Sequence, residues 1–517
     1  MIILVSCKIS QADIHASLGK PEYSYFFLMK DFLPALEQVG TVIQVQSRDE
    51  IDALHASYSA QGEAVIFISV SPPHQTPLDL KCPTVTLFAW EFDSLPSVAW
   101  DGNPQNDWRY VFAHSAGAIT TSKEAALLVN DAMQGRFPVI PLPAPVWDRY
   151  AKLGSLKGWP IELGERQFPF AGIVIDSPIL GLSADGLVRK PEPPEEAFEP
   201  AAAPESSLAS EHAVENVPDS RLSPGAAWHL SAALLKGWWK EIRLAPKSTV
   251  VVAQPLDKPL PEPPRPVEQE MLEIPHVSEV KPELRLIAVR GVVYTTVLNP
   301  ADGRKNWVDL VTAFCWAFKN TDDATLIVKM THHDLEHYRV VLMTLLSRLA
   351  PFRCRVLVLH GFLEDEQYQA LITASSYYVN ASSGEGLCLP LMEFLSSAKP
   401  AIAPGHTAMA DYLNERVAFL LKFSPEPTCW PHDPTGMLFT HRHRLNWQSL
   451  MEAFRSSYQV ARTNPAQYQG MSRDAYQHMQ DFASIARVSE PLDAFLQQVL
   501  TASPIPQNSD PVQESGA

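Results

Sequence analysis

Two series of short apolar segments, each of the length of a buried strand, dominate this sequence. One series occupies the first 150 residues or so, and the other begins near Leu286, after a long proline-rich stretch. Segments with helical patterning, such as residues 25–39, lie between the apolar runs. Short apolar runs that alternate with helices are typical of a parallel sheet covered on both faces. The sequence therefore predicts an α/β protein with two parallel-sheet domains.

The predicted strands are the apolar runs themselves. In the first series they span residues 2–5, 41–46, 64–70, 84–89, 118–121 and 139–141. In the second series they span residues 292–298, 324–329, 355–359, 377–380, 400–403 and 418–421. Ligands of such open sheets bind at the carboxyl ends of the strands, so candidate site residues are sought there.

Length and charge narrow the function classes. A chain of 517 residues exceeds the size at which one hydrophobic core keeps growing, which favours two or more domains. The net charge of −17 argues against nucleic acid as a general partner. The six cysteines show no paired spacing, so neither a disulfide framework nor a zinc site is indicated. The first apolar run lacks a basic leader, and we expect a cytoplasmic protein.

The domain boundaries follow from composition. Residues 1–187 are predicted to form an N-terminal Rossmann-like domain and residues 286–475 a second one. Residues 188–285 are rich in Pro, Glu and Ala, and such a segment buries too little apolar surface to fold, so most of it is expected to be disordered. Residues 476–517 are predicted to form a helix that returns toward the first domain, followed by a loose tail.

One segment of the insertion, residues 227–244, has the pattern of an amphipathic helix. Trp228, Trp238 and Trp239 alternate there with basic residues such as Lys236 and Lys240. The favoured interpretation is a helix docked on the protein's own surface. The alternative is a peripheral contact with the inner face of a membrane, which would suit a lipid-linked acceptor.

The motif most informative about function is residues 382–393, Ser-Ser-Gly-Glu-Gly-Leu-Cys-Leu-Pro-Leu-Met-Glu. Glu385 lies between Gly384 and Gly386, whose lack of a side chain lets a ligand approach the backbone closely. Pro390 suits the first position of a helix, and Glu393 is expected in its first turn. Loop amides at a helix N-terminus favour a phosphate, while carboxylates accept hydrogen bonds from sugar hydroxyls. The combination indicates a nucleotide sugar.

This motif resembles the glutamate–seven residues–glutamate signature of glycosyltransferase family 4, a retaining family with the GT-B fold. The resemblance implies two Rossmann-like domains facing across a cleft, with the acceptor on the first and the donor on the second. It also implies that Glu385 contacts the donor sugar and Glu393 the ribose. Gly384, Gly386 and Leu387 would lie beside the donor.

Arg304 and Lys305 stand just before a helix predicted to run to residue 317, with Asn306 as its N-cap. Two cations at a positive helix end are unfavourable unless an anion neutralises them, and a diphosphate is the obvious candidate. Lys305 matches the lysine with which the resembled family binds the donor diphosphate. Asn299 occupies the place of that family's usual arginine, so either Arg304 compensates or the diphosphate is held less firmly.

Other donor contacts are predicted around the second sheet and the first loop. Lys329 ends its strand with its amine expected in the cleft. Gly361 and Phe362 occupy the resembled family's position for backbone contacts to the nucleobase. Gly19 lies in a loop that resembles the one meeting donor and acceptor, although the usual glycine pair is missing. Asp411 is a weaker candidate, because relatives often carry an acidic residue nearby.

Glu91 and Asp93 stand where many members of the resembled family carry a histidine motif at the reacting centre. A carboxylate there could stabilise a developing oxocarbenium ion, as in glycoside hydrolysis. The equally weighted alternative is that a carboxylate caps the next turn.

The predicted function, by this resemblance, is a retaining transfer of a hexose from a nucleotide-diphosphate sugar to a glycan or glycolipid, in polysaccharide biosynthesis. Glu385, Lys305 and Glu91 are the predicted catalytic residues. No cofactor or metal is expected, because protein cations and the helix end can stabilise the leaving diphosphate. A nucleotide-sugar epimerase or a phosphorylase on the same fold, and a non-catalytic glycan-binding scaffold, stay open as alternatives.

Overall fold

The computed structural model describes residues 1–8, 23–155, 159–182, 284–332, 335–431, 433 and 435–501. Gly19, most of the 188–285 insertion with its predicted helix at 227–244, and the tail after residue 501 lie outside the described residues. No helix in the described ranges is both long and apolar enough to span a membrane.

The first sheet is entirely parallel, with the strand order β2-β1-β3-β4-β5-β6. Its strands confirm all six predicted runs of the first series. β3 is buried at every position, and accordingly all its residues except Ser69 are apolar. The elements are β1 (Ile2–Cys7), α1 (Tyr23–Val39), β2 (Thr41–Gln44), α2 (Arg48–Ala60), β3 (Val65–Val70), β4 (Thr84–Phe88), α3 (Trp108–Ala113), β5 (Gly117–Thr120), α4 (Lys123–Ala132) and β6 (Val139–Pro141).

Four short elements carry the chain from the first sheet to the second. They are α5 (Trp147–Gly154), β7 (Arg166–Ala171), β8 (Ile173–Asp176) and β9 (Leu284–Val289). β7 and β9 form an antiparallel pair, in which Arg166 is opposite Val289 and Ala171 is opposite Leu284. β8 pairs antiparallel with residues 357–360 of the second sheet. The chain therefore joins the second sheet before residue 187, where the sequence places the end of the first domain.

The second sheet has the order β15-β14-β13-β10-β11-β12-β8, parallel except for the edge strand β8. Its six parallel strands confirm the second predicted series. The elements are β10 (Val292–Leu298), α6 (Trp307–Ala317), β11 (Ala324–Met330), α7 (Leu335–Leu349), β12 (Arg355–His360), α8 (Asp365–Ala374), β13 (Tyr377–Val379), α9 (Leu389–Ser396), β14 (Ala401–Pro404) and β15 (Ala418–Leu421).

The last described part of the chain adds a hairpin and three helices. The hairpin, which the sequence analysis did not predict, consists of β16 (Phe423–Cys429) and β17 (Phe439–Leu445). The helices are α10 (Trp447–Thr463), α11 (Pro465–Ala483) and α12 (Ile485–Thr501). α12 packs on the first sheet: a Cβ on Gly117 of β5 would lie 3.0 Å from Phe495 and 3.1 Å from Val499.

The first sheet with α1–α4 is called the first lobe, and the second sheet with α6–α9 the second lobe. One buried apolar cluster continues from Val5 and Leu36 of the first lobe through Leu492 of α12 to Leu391 and Phe394 of α9. The two lobes are thus joined by a shared core. The predicted fold class, α/β with two Rossmann-like parallel sheets, is confirmed.

Candidate functional site

Glu385 is the centre of a buried polar cluster at the carboxyl end of the second sheet. It lies in the loop between β13 and α9, and only 3% of the residue is exposed. Its Oε1 accepts hydrogen bonds from Lys305 Nζ at 2.6 Å, Ser382 Oγ at 2.6 Å and Asn380 Nδ2 at 3.1 Å. Arg304 Nη1 lies 3.4 Å from Oε2. These residues form the Glu385 cluster, and the predicted proximity of Glu385, Lys305 and Arg304 is observed.

The cations of this cluster keep Glu385 ionised. Burial alone would raise the pKa of Glu385, but Lys305 and Arg304 together lower that pKa to about 2. The hydrogen bond from Ser382 acts in the same direction. The side chain is therefore a carboxylate at any physiological pH and can only accept hydrogen bonds.

Arg304 is surrounded by acidic groups from both lobes. Its Nε lies 2.8 Å from Asp302 and 3.4 Å from Glu91 of the first lobe, and its Nη1 donates to Gly384 O at 2.8 Å. The sequence predicts that a diphosphate neutralises Arg304 and Lys305. In this structure the protein's own carboxylates, those of Glu91, Asp302 and Glu385, neutralise them.

The two glycines that flank Glu385 bring the lobes together. A Cβ on Gly384 would lie 3.0 Å from Glu91 O, and one on Gly386 would lie 2.8 Å from Trp90 N. Thr121 of the first lobe donates to Gly386 O at 2.6 Å. In this structure the chain that follows β4 makes the close approach to both glycines, and the expectation that they let a ligand approach the backbone stays a prediction.

Three residues that border the Glu385 cluster have left-handed backbone conformations without being glycine. They are Asn306 (φ 50°), Cys388 (φ 65°) and Thr407 (φ 48°). Such conformations are unfavourable for residues with a side chain and occur preferentially at functional sites. Asn306 is the N-cap residue of α6, as predicted, but its side chain makes no capping hydrogen bond to this helix, which starts at Trp307.

Glu393 has a different environment from Glu385. α9 begins at Leu389, so Pro390 is its second residue and Glu393 its fifth; the prediction that Glu393 lies in the first turn is wrong. Glu393 is 6% exposed, and its Oε2 accepts a hydrogen bond from Tyr368 at 2.5 Å. Burial, reinforced by the nearby Asp31, raises the pKa of Glu393 to about 7.

The residues around Glu393 link the lobes through a second set of charges. Arg149 of α5 pairs with Asp31 of α1 at 3.1 Å and with Asp365 of α8 at 2.6 Å. Burial raises the pKa of Asp31 to about 6 in spite of Arg149. Glu393, Tyr368, Tyr150, Arg149 and Asp31 are called the Glu393 cluster below.

Tyr378 connects the two clusters. Burial raises the pKa of its phenol, and the charges of both Glu385 and Glu393 contribute to that rise. The two glutamates of the motif therefore lie within electrostatic range of one side chain, although their hydrogen-bond partners differ.

The remaining donor-side predictions lie apart from the contacts of Glu385. Lys329 is 4% exposed; its Nζ donates to Met330 O at 3.4 Å, and burial lowers its pKa to about 7. Gly361 packs against the turn between β7 and β8, where its Cβ would lie 3.1 Å from Ala171 O. Phe362 follows it and is half-buried. Leu387 is buried, and its carbonyl accepts from Tyr412 at 2.8 Å.

The acidic residues of the first lobe and of the loop after β14 have structural partners. Burial raises the pKa of Glu91, while Arg304 opposes the rise. Asp93 accepts hydrogen bonds from Thr440 Oγ1 and from the backbone N–H of His441, both at 2.9 Å, so it docks the unpredicted hairpin. Asp411 accepts from the backbone N–H of Lys123 at 2.9 Å, at the start of α4.

Several residues of the site were missed by sequence reasoning. Asn380 and Ser382 stand at the end of β13, and this position at a strand's carboxyl end could have identified them. Thr407 accepts a hydrogen bond from the backbone N–H of Glu385 at 3.0 Å. His406 stacks on His443 of β17 with ring centroids 4.3 Å apart, a contact that no sequence signal indicates.

No group of three or more His, Cys, Asp or Glu side chains suited to a metal ion occurs within the described part of the chain. The expectation that no metal is required stays a prediction. Chemically, the cluster offers one ionised acceptor for hydroxyl groups and two cations for an anion, beside the N-terminus of α9.

Comparisons with known proteins find similarity only at the level of structure. No protein-family model matches the chain, and no curated protein matches it significantly. A glycosyltransferase from Rickettsia africae shares 8% identity at a TM-score of 0.48, over 97% of this chain and 99% of that one. Anabaena HepE in complex with UDP and glucose shares 10% sequence identity at a TM-score of 0.45, over 96% of this chain and 100% of that one. Similarities this low transfer no activity to this chain.

Proposed function

We propose that the protein is a retaining glycosyltransferase that transfers a hexose from a nucleotide-diphosphate sugar to a glycan or lipid-linked acceptor. The observation that supports this proposal most directly is the contact of Glu385 with Lys305 and Arg304 beside the start of α9. An ionised acceptor and two cations at the carboxyl end of a parallel sheet match the two halves of such a donor. The hydroxyls of the sugar need the acceptor, and the diphosphate needs the cations.

The leaving diphosphate gains negative charge as the bond to the sugar breaks. Lys305 and Arg304 are the groups that stabilise this charge, and the N-terminus of α9 adds its dipole. Glu385 orients the sugar by accepting from its hydroxyls, as the resemblance to family 4 implies. Glu91, 3.4 Å from Arg304, supplies a carboxylate from the opposite lobe near the reacting carbon.

Donor binding in this proposal requires an exchange of partners. Arg304 now contacts Asp302, Glu91 and Glu385, and the loop around Gly386 touches the first lobe. The lobes therefore separate at this contact before the diphosphate enters. Arg304 then gives up Glu91, because a diphosphate with more charge at the same distance binds the guanidinium more strongly.

The resemblance to family 4 further supports a place in polysaccharide biosynthesis at the cytoplasmic side of a membrane, and Glu393 as the contact for the ribose. Both remain part of the proposal, as does the absence of a required metal.

The first test is binding of the nucleotide, followed by transfer. Thermal shift with UDP, GDP and ADP identifies the base, since a ligand that binds only the folded state raises the melting temperature. Transfer is then followed with a radiolabelled donor, with and without acceptor. We expect Glu385→Gln to lower kcat about 100-fold or more, and Glu452→Gln, an exposed glutamate of α10, to leave it unchanged.

Three outcomes separate this proposal from its alternatives. Labelled product that forms only with acceptor supports a transferase. Inversion at the sugar's C2 without acceptor would instead identify an epimerase. A protein that binds glycans but no nucleotide would contradict the proposal and favour a scaffold.

A further inference from the structure

Thr407 is a buried residue with an unfavourable backbone at the edge of the Glu385 cluster. It follows β14, is 8% exposed and has a φ of 48°. Threonine is β-branched, and for such a residue a positive φ is a genuine outlier. A conformation of this kind persists only when the surroundings hold it in place.

The hydroxyl of Thr407 both accepts and donates a hydrogen bond within this loop. It accepts from the backbone N–H of Glu385 at 3.0 Å and donates to His406 O at 2.8 Å. The ring Nδ1 of His406 lies 3.2 Å from the same oxygen. The hydroxyl therefore uses its one proton for His406 O and one of its two lone pairs for the N–H of Glu385.

The neighbouring residue completes a two-point attachment of Glu385. The backbone N–H of Ala408 donates to Glu385 O at 3.2 Å. The N–H and the C=O of Glu385 are therefore both bound to residues 407–408. The carboxylate of Glu385 is held separately by Lys305, Ser382 and Asn380.

The first lobe also touches the turn that carries Thr407. Residues 407–411 form one short turn, and at its end Asp411 accepts from the N–H of Lys123. Thr407 thus belongs to a segment whose position depends on the contact between the lobes. This placement distinguishes it from a residue that only fills the core.

We propose that Thr407 is a positioning residue for Glu385, whose hydroxyl fixes the backbone of Glu385 so that its carboxylate meets the hydroxyls of the donor sugar. The inference rests on the proposed function for its consequence in catalysis, because only a sugar donor makes the position of Glu385 matter. The hydrogen bond between the Glu385 N–H and the Thr407 hydroxyl is present in the free protein and can be measured without any donor.

Three variants separate the hydroxyl from the backbone conformation. Thr407→Ser keeps the hydroxyl, Thr407→Val keeps the branched shape without it, and Thr407→Gly removes both hydroxyl and strain. In the full-length protein, hydrogen exchange is followed in peptides that cover Glu385. We expect exchange at least about tenfold faster in Thr407→Val and Thr407→Gly, because the bond that protects this N–H is lost, and near wild-type exchange in Thr407→Ser.

The catalytic experiment compares two quantities: kcat, which depends on the position of the donor sugar, and the affinity for the free nucleoside diphosphate, which has no sugar. We expect kcat to fall about 10- to 100-fold in the valine and glycine variants, since small displacements of a positioning group cost this much. The affinity for the free nucleoside diphosphate stays unchanged, because that ligand lacks the sugar. A merely structural role would lower both together.

Each result decides the inference. Wild-type exchange and kcat in Thr407→Val would overturn it, and so would full activity in Thr407→Gly, since either shows that the hydroxyl is dispensable. If Thr407→Val does not fold, Thr407→Gly provides the same comparison with the strain removed. If wild-type protein binds no nucleotide sugar, the proposed function fails, while the exchange experiment still decides whether Thr407 holds Glu385.

Discussion

The Glu385 and Glu393 clusters contain carboxylates only eight residues apart, yet their environments have opposite electrostatic effects. Lys305 and Arg304 lower the pKa of Glu385 to about 2, although burial acts against them. Burial raises the pKa of Glu393 to about 7, because Tyr368 and Arg149 only partly compensate for it and Asp31 adds a second negative charge. Equal burial therefore produces an obligatory anion in one place and a titratable acid in the other.

The difference assigns distinct roles to the two clusters. An ionised Glu385 is a permanent hydrogen-bond acceptor that also keeps the cations of Lys305 and Arg304 in place. Glu393 changes its protonation near neutral pH and lies among residues from α1, α5 and α8, so its charge affects the packing of the lobes. The following three predictions test this contrast.

The largest effect is expected for Lys305→Met, which breaks the shorter ion pair of Glu385. Glu385 is then left buried with Arg304 at 3.4 Å as its remaining cation. Removing one partner of a buried pair costs about 3–5 kcal/mol. Urea unfolding at pH 7 measures the loss, with Lys319→Met as the control because Lys319 is exposed. A loss under about 1 kcal/mol, the range of surface pairs, would show that the pair is not buried in solution.

The second prediction concerns opposite pH dependences of stability. In the folded protein the pKa of Glu393 is about 7, above its ordinary value of 4.5. The contribution of Glu393 to the free energy of unfolding is therefore complete below pH 4.5 and is lost as the pH rises through about 7. Glu385 stabilises the folded state above pH 4.5, and this stabilisation is lost as the pH falls through about 2. We expect a stability decrease of about 3 kcal/mol between pH 4.5 and 7 from Glu393.

Unfolding free energies across this range check the prediction. Glu393→Gln should remove most of the decrease between pH 4.5 and 7, and Asp31→Asn should remove a further part, because the pKa of Asp31 is also raised, to about 6. Glu385→Gln should leave the decrease in unfolding free energy between pH 4.5 and 7 unaltered. An unchanged slope in Glu393→Gln would contradict the assignment.

The smallest effect is expected for Tyr368→Phe, which removes the hydrogen bond to Glu393. This bond stabilises the charged carboxylate, so its loss should cost about 1–2 kcal/mol at pH 8 and less at pH 5, where Glu393 is protonated. Thermal unfolding at the two pH values measures the difference. Tyr110→Phe serves as the control, because Tyr110 is 38% exposed. Equal losses at both pH values would mean that Tyr368 contributes through packing alone.

Much of the fold follows from local sequence. The run at 292–298 coincides with β10, because a strand buried on both faces of a sheet requires a largely apolar segment. The run at 139–141 coincides with β6, a half-buried strand at the edge of the first sheet. The proximity of Glu385 to Lys305 also follows, since both stand at the carboxyl ends of neighbouring parallel strands, β13 and β10.

The hairpin of β16 and β17 could not be predicted in this way. β17 alternates polar and basic residues, and His441 and His443 gain their partners only because Asp93 and His406 are brought from other parts of the chain. The same holds for the glycines that flank Glu385, whose neighbours come from residues 89–91 of the other lobe.

By itself, the sequence determined the two sheets, the order of their strands along the chain and the motif around Glu385, because apolar periodicity and strand ends are local properties. Only the tertiary structure decided that Arg304 is shared among carboxylates, that Glu393 is a titratable acid and that Thr407 holds Glu385. Those features depend on burial and on charges more than 20 residues away, and electrostatic energies change with both.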